Sequence, residues 1–128
     1  MIYSTRNFSP TTDKKLSCTC GHKNCDKRTV KPEILDMLQY VRDSIGKPMI
    51  ITSGGRCPNH PNEVHRSKPA DHQLCQAVDV KVYGGMDRWQ LVRWGIDAGF
   101  NRIGVHAKFI HLGYSPDYTD EQGMIWVY

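Results

Sequence analysis

Residues 70–80, ADHQLCQAVDV, place His72 seven residues before Asp79, at the start of an alternating apolar pattern. The alternation predicts a β-strand over residues 76–82, with a buried valine face and with Asp79 on the opposite face. A second histidine, His111, follows in a later apolar run. Two imidazoles and one carboxylate are a ligand set of catalytic zinc, which keeps a fourth position open for water. By spacing alone such a triplet also arises by chance, with ordinary core or surface histidines, so the flanking residues decide between the two interpretations.

The length and composition indicate one small globular domain. The chain has 128 residues, of which 39% are hydrophobic, and its net charge is +4. This mildly basic balance falls well short of the cationic face of a dedicated nucleic-acid binder, so we expect no nucleic-acid partner. A solvated basic surface is the simplest interpretation, and an anionic substrate or cell-wall polymer is compatible with it. No apolar run is long enough to span a membrane, and the N-terminus lacks the apolar core of a signal peptide.

Two helices are predicted. Pro32 opens the first helix in its first turn, where the missing N–H is not needed, and Gly46 ends it. The apolar face of this helix consists of side chains at helical spacing: Ile34, Leu38, Val41 and Ile45. Asp87 is expected to cap the second helix with Gln90 as its reciprocal partner, and Gly99 ends that helix.

Short strands are predicted over residues 49–52, 76–82, 102–105, 109–112 and 124–127. Together with the two helices they indicate an α+β fold with a small antiparallel sheet. Residues 1–31 are polar and turn-rich and are interpreted as an N-terminal arm packed on a domain of residues 32–128. The last strand carries Trp126 and leads to Tyr128, and we expect these aromatic residues to close the core, with substrate stacking as the second interpretation.

Three cysteines and a histidine crowd into the arm: Cys18, Cys20, His22 and Cys25. They are compatible with a small second zinc site, but structural zinc usually takes its ligands from two separated turns, and a tight loop with reduced thiols is the simpler interpretation. The odd total of five cysteines argues against a closed disulfide framework. A nucleic-acid-binding zinc protein built on this segment would need aromatic residues among the basic ones, and none is interleaved.

Four ordered blocks between residues 32 and 128 resemble the zinc D-alanyl-D-alanine carboxypeptidase family. The blocks are Ser53-Gly54-Gly55-Arg56-Cys57-Pro58, then His72 with Ala77 and Asp79, then Gly104, then Phe109-Ile110-His111-Leu112. The family pattern runs Ser-Gly-x-Arg, then Ser-x-His-x-x-Gly-x-Ala-x-Asp, then a histidine on a β-strand. That family includes phage endolysins and murein endopeptidases and shares its fold with the signalling domain of Hedgehog proteins.

The resemblance implies a Hedgehog/DD-peptidase-like fold in which His72, Asp79 and His111 bind Zn²⁺. It implies that Arg56 holds the substrate peptide; an arginine that only ties down the following loop is the alternative. The implied function is a zinc metallopeptidase that acts on peptidoglycan stem peptides, as a DD-carboxypeptidase or an endopeptidase. The implied origin is a phage, with the protein carried in the virion or released to the cell wall by host lysis. A catalytically inactive zinc- or murein-binding module on the same fold is the alternative.

The chain departs from the family pattern where a catalytic carboxylate is expected. Lys108 stands three residues before the last histidine, and Gly113 stands two residues after it. A lysine ammonium is a poor base unless burial depresses its pKa, so no catalytic residue is assigned. The other residues considered as the base are His65, His106, Asp117 and Glu121. Ala70 and Cys75 replace a family serine and glycine on either side of His72.

Overall fold

The computed structural model describes residues 2–128 and shows an α+β arrangement with a mixed sheet. A 3₁₀ turn at Lys14–Leu16 precedes the helices α1 (Pro32–Ile45) and α2 (Gly85–Asp97). The strands are β1 (Ile51–Ser53), β2 (Ala77–Lys81), β3 (Arg102–Val105), β4 (Phe109–Gly113) and β5 (Met124–Val127). They form one five-stranded sheet in the order β1-β2-β4-β3-β5. No helix in residues 2–128 has the length and apolar content needed to cross a membrane.

The prediction of an antiparallel sheet is wrong for the last strand. β5 runs parallel to β3, with Met124 opposite Arg102 and Val127 opposite Val105. The cause is the strand order: both edges of β4 are already paired, with β2 and with β3. The chain therefore cannot form a hairpin with β4, and residues 114–123 carry it across to the free edge of β3.

The first helix has the predicted bounds, and the second begins earlier than predicted. Gly46 ends α1 in the left-handed conformation, at a φ of 77°. Asp87 does not cap α2, because the helix already begins at Gly85. Asp87 lies in its first turn, where Oδ2 accepts a hydrogen bond of 2.8 Å from the backbone N–H of Tyr83. This hydrogen bond holds the backbone just before the helix, but the predicted reciprocal cap with Gln90 does not form.

One hydrophobic core joins the helices, one face of the sheet and the N-terminal segment. Val78 and Val80 of β2 lie in it. Three buried side chains of the arm, Phe8, Leu16 and Val30, belong to the same cluster. The N-terminal segment therefore contributes three side chains to the core that stabilises the sheet, as apolar burial requires of a chain this small.

Candidate metal centre and cleft

The candidate site is a row of residues that crosses the sheet. Asp79 on β2 lies opposite Ser53 on β1 and opposite His111 on β4. His111 lies opposite Gly104 on β3, which in turn lies opposite Trp126 on β5. Directly opposed residues project from the same face of a sheet, and here that face is the one away from the valines of the core. Strand register thus brings together residues far apart in the sequence.

His72 reaches this row from the loop before β2. Its Nε2 lies 3.2 Å from Asp79 Oδ1, and His111 Nδ1 lies 3.1 Å from the same oxygen. One ligand atom from each of the three residues lies within 4.8 Å of the other two. All three residues are buried. The loop is closed at Cys75, which adopts a left-handed φ of 61°, a conformation that favours the glycine of the family pattern.

The outer nitrogen of each histidine is held by a hydrogen bond. His72 Nδ1 donates to the carbonyl oxygen of Gly54 at 2.8 Å, and His111 Nε2 donates to Asp71 Oδ2 at 2.9 Å. A neutral ring that donates from one nitrogen presents a lone pair at the other. Two nitrogen lone pairs and a carboxylate oxygen of Asp79 then converge on one point, and their mutual repulsion is relieved by a proton on a ring nitrogen or by a bound cation. These donors fit zinc, whose imidazole ligands are commonly oriented by such outer hydrogen bonds.

Asp71 is a site residue that the sequence pattern did not reveal. Arg102 Nε lies 2.9 Å from its Oδ1 and 2.8 Å from its Oδ2, and this ion pair fixes the carboxylate behind His111. The missing side chain of Gly113 makes the arrangement possible: a Cβ there would lie 2.8 Å from both Asp71 Oδ2 and His111 Nε2. The position next to His72 was the available signal, but only the register of β4 shows that Asp71 reaches His111.

The electrostatics of the centre favour a bound cation. Burial raises the pKa of Asp79, but hydrogen bonds from His111 and His72 outweigh it, and that pKa lies well below its usual range. Burial also raises the pKa of Asp71, whereas His111 and Arg102 lower it, with a net downward shift. Burial lowers the pKa of His111, whereas Asp71 and Asp79 raise it, with a net upward shift. A metal ion must displace the His111 proton, so metal affinity should fall as the pH decreases.

Replacing Asp71 by alanine is expected to weaken zinc binding at the centre by about 10- to 100-fold, because His111 loses the partner that orients its ring. Asp71→Asn should recover part of this loss, since the amide oxygen still accepts a hydrogen bond from Nε2. Competition with a chromophoric chelator measures the affinity. Asp117→Ala, at an exposed position, is the control. Equal zinc affinity of Asp71→Ala and the control would contradict the orienting role.

Arg56 lies beside the triplet and makes three hydrogen bonds to side chains of the protein. Its Nε donates to Ser53 Oγ at 3.0 Å, Nη1 to Glu63 Oε2 at 3.3 Å, and Nη2 to Asp79 Oδ2 at 3.5 Å. Its side chain is 13% exposed. A guanidinium has more N–H donors than these three contacts use, so the group retains donors while it braces a triplet carboxylate.

Glu63 is a second site residue that the sequence did not reveal. It is 2% exposed and lies along the same cleft as the triplet. Its Oε2 contacts Arg56, whereas its Oε1 accepts no hydrogen bond from residues 2–128. Arg66 Nε lies 3.4 Å from Oε1, an ion-pair contact without hydrogen-bond geometry. A buried carboxylate oxygen with a free lone pair is costly and is often connected with function.

The residues considered earlier as the catalytic base lie in different surroundings. Lys108 is exposed and is not among the residues that line the cleft. Asp117 and Glu121 are exposed and line other depressions, and His106 stacks on Phe109. Only His65 of that group lines the cleft, where it is exposed.

The C-terminal aromatic residues form a wall of the cleft, and the expectation that they close the core is wrong. Trp126 is half-buried and Tyr128 is 60% exposed, because β5 is an edge strand that the helices do not cover. The Trp126 ring lies over Gly104, where a Cβ would come within 2.8 Å of it. The ring centroids of Trp126 and His111 are 5.1 Å apart. The cleft, which has a volume of about 510 Å³, therefore has polar ligands on its floor and aromatic side chains at its rim.

The cysteine-rich segment of the arm forms a cluster that differs by one residue from the group of three cysteines and His22 that crowd together in the sequence. His22 is exposed, and its Nδ1 accepts a hydrogen bond from the backbone N–H of Asn24. Cys57, from the loop after β1, takes the place of His22 beside the other sulfurs. The resulting cluster consists of Cys18, Cys20, Cys25 and Cys57. The fifth cysteine, Cys75, is buried elsewhere.

Comparison with known proteins identifies a family for most of the chain. A family model described as Peptidase M15 matches residues 9–113. The match contains Arg56 and the triplet, and it begins inside the N-terminal arm. No curated protein gives a significant match to the chain.

Proposed function

Since the chain belongs to the Peptidase M15 family, the group of zinc D-alanyl-D-alanine carboxypeptidase-like enzymes, we propose that it is a zinc peptidase acting on peptidoglycan stem peptides. The observation that carries this proposal is the convergence of His72 Nε2, Asp79 Oδ1 and His111 Nδ1 in an open cleft. We further propose that the two helices and the mixed sheet form the Hedgehog/DD-peptidase fold. The activity fits a phage-encoded protein that reaches the wall in a virion or at host lysis.

The donor set supports zinc as the resident metal of the centre. His72, Asp79 and His111 would bind it, with Gly54 and Asp71 orienting the two rings from behind. When bound, zinc supplies a Lewis acid that polarises the scissile carbonyl and makes water acidic enough to act as a nucleophile. His72, Asp79 and His111 all line the cleft, so a zinc ion held by them would be accessible to a substrate bound there.

Arg56 is proposed to hold a substrate carboxylate while it braces Asp79. A stem peptide that ends in D-alanine carries a C-terminal carboxylate, and a guanidinium binds such a group in a charge-assisted geometry. The contact with Asp79 Oδ2 couples the position of Arg56 to the metal centre, so a bound peptide is placed relative to the metal. Trp126 and Tyr128 offer apolar surface at the rim for the rest of the peptide.

Glu63 is proposed to be the proton acceptor that the two family positions do not provide. A general base needs a free oxygen lone pair within reach of the reacting water. Both oxygens of Asp71 are committed to Arg102 and His111, whereas Glu63 Oε1 accepts no hydrogen bond from the described residues. Because Oε1 is buried beside Arg66, the mechanism requires Glu63 to turn toward the cleft, where Oε1 takes a proton from the attacking water and passes it to the leaving amine.

The function is tested with purified peptidoglycan. The zinc-loaded protein is expected to release new amino groups, to lose this activity on dialysis against a chelator, and to regain it with zinc. Free D-alanine among the products would identify a carboxypeptidase, and conversion of cross-linked to uncross-linked muropeptides would identify an endopeptidase. No release of amino groups by protein that carries zinc at the triplet would refute the proposal.

The second candidate function is a catalytically inactive zinc- or murein-binding module. Lys108 and Gly113, which stand where the family places a carboxylate, favour it. This module would sediment with insoluble peptidoglycan while it releases nothing. Sedimentation and amine release, measured on the same zinc-loaded sample, distinguish the two functions.

A further inference from the structure

We propose that Cys18, Cys20, Cys25 and Cys57 bind a second, structural zinc ion that attaches the N-terminal segment to the loop of the candidate active site. The four sulfur atoms all lie within 4.8 Å of one another. The Cys20 and Cys57 sulfurs are 3.5 Å apart. Tetrahedral zinc with Zn–S bonds of about 2.3 Å places its sulfurs roughly 3.8 Å apart, so only a small adjustment is needed.

The ligands come from separated segments of the chain, as is usual for structural zinc sites. Three cysteines come from the arm and the fourth from a distant loop, which supplies the two separated segments that the arm alone lacks. None of the four sulfurs is in a disulfide. Cys18 and Cys57 are buried and the other two are half-buried. A closed Cys₄ set has no open position for catalysis and serves to stabilise the fold.

The surroundings of the cluster suit a negatively charged metal–thiolate group. The backbone N–H of Lys27 donates to Cys25 Sγ at 3.3 Å, a contact that stabilises a thiolate. Lys27 itself has a left-handed φ of 54°, which turns the chain around the sulfurs. Lys14, Lys23 and Lys27 line the groove beside Cys18 and Cys25. Their positive charges offset the excess negative charge of four thiolates on one divalent ion.

The cluster is joined to the candidate active site through a short and tightly packed loop. Cys57 directly follows Arg56. The Gly55 N–H donates to the Leu16 carbonyl at 3.0 Å, and the Arg56 N–H donates to the His72 carbonyl at 3.0 Å. A Cβ on Gly54 would lie 2.6 Å from the Leu16 oxygen, so the arm and the loop are in direct contact. Metal at the cluster would therefore hold the loop that orients His72.

Metal content and the spectrum of the cobalt-substituted protein test this proposal. The intact chain is expected to bind two zinc ions, one at each cluster. Cys25→Ser should lose one ion and keep the other, His72→Ala should show the complementary loss, and Cys75→Ser is the matched cysteine control. Cobalt-loaded His72→Ala should show sulfur-to-cobalt charge-transfer bands in the near ultraviolet, since the cysteine cluster provides four sulfur ligands and the His72 centre provides none.

The His72→Ala spectrum keeps the test independent of whether Cys25→Ser folds. Cobalt-loaded His72→Ala without charge-transfer bands, when purified and kept under reducing conditions, would overturn the proposal. Intact protein in which mass measurement shows disulfides among these cysteines despite the reducing conditions would also overturn it. Failure of peptidoglycan hydrolysis, by contrast, concerns only the His72 centre and leaves this inference unaffected.

Discussion

His72→Ala is expected to lose the metal of the triplet and to lower peptidoglycan hydrolysis by about 10³-fold or more. Asp79 and His111 alone leave zinc with two protein ligands, too few for a stable catalytic site. The loss of the metal removes several kcal/mol of transition-state stabilisation, and each ~1.4 kcal/mol is a factor of ten in rate. Elemental analysis after dialysis gives the metal content, and kcat/KM for a stem peptide gives the activity.

The matched control for this variant is His65→Ala. His65 is an exposed histidine along the same cleft and is not part of the triplet. It should retain both the metal and most of the activity. Because His72 is buried, circular dichroism must show that the variant is folded, and the chelator-treated intact protein gives an independent comparison. A folded His72→Ala protein that hydrolyses peptidoglycan at the normal rate would exclude the triplet as the catalytic centre.

Glu63→Gln is expected to lower kcat by about 10²- to 10⁴-fold while the zinc content stays unchanged. Glutamine preserves the size of the side chain and still accepts a hydrogen bond from Arg56, but it cannot take a proton at the reacting water. KM should change little, because the substrate carboxylate is assigned to Arg56. Steady-state kinetics on a defined stem peptide measure both constants.

The control for this variant is Glu121→Gln, which changes an exposed carboxylate of the last loop and should keep the rate. Activity of Glu63→Gln within about twofold of normal would show that Glu63 serves only to neutralise Arg56.

Much of the local structure could be predicted from the sequence. The apolar face of α1 and its glycine end follow from helical periodicity and capping, which depend on neighbouring residues alone. The strands β3 and β5 have the predicted bounds. The parallel pairing of β5 could not be predicted, since it depends on which strand edges are already occupied when the chain returns.

The candidate site was only partly visible in the sequence. The ligand types of the triplet and the family motifs identified His72, Asp79 and His111 as residues to be brought together. Glu63 gave no such signal and Asp71 gave only its position next to His72, because carboxylates are common and their role depends on burial and partners. The apolar strand around Trp126 resembles a buried strand and therefore predicts a core position. In the structure this strand lies at an uncovered edge of the sheet, and Trp126 lines the cleft.

The available donor atoms and their order along the chain follow from the amino-acid sequence alone, because ligand chemistry and periodicity are local properties. Which of these atoms meet depends on the folded chain. Register across the sheet places Asp79 opposite His111, and the missing Cβ of Gly113 makes room for Asp71 behind that ring. The path of the loop after β1 likewise brings Cys57, rather than His22, to the cysteines of the arm. Such contacts depend on strand pairing and on loop paths between distant segments. A short stretch of sequence does not contain both partners of these contacts.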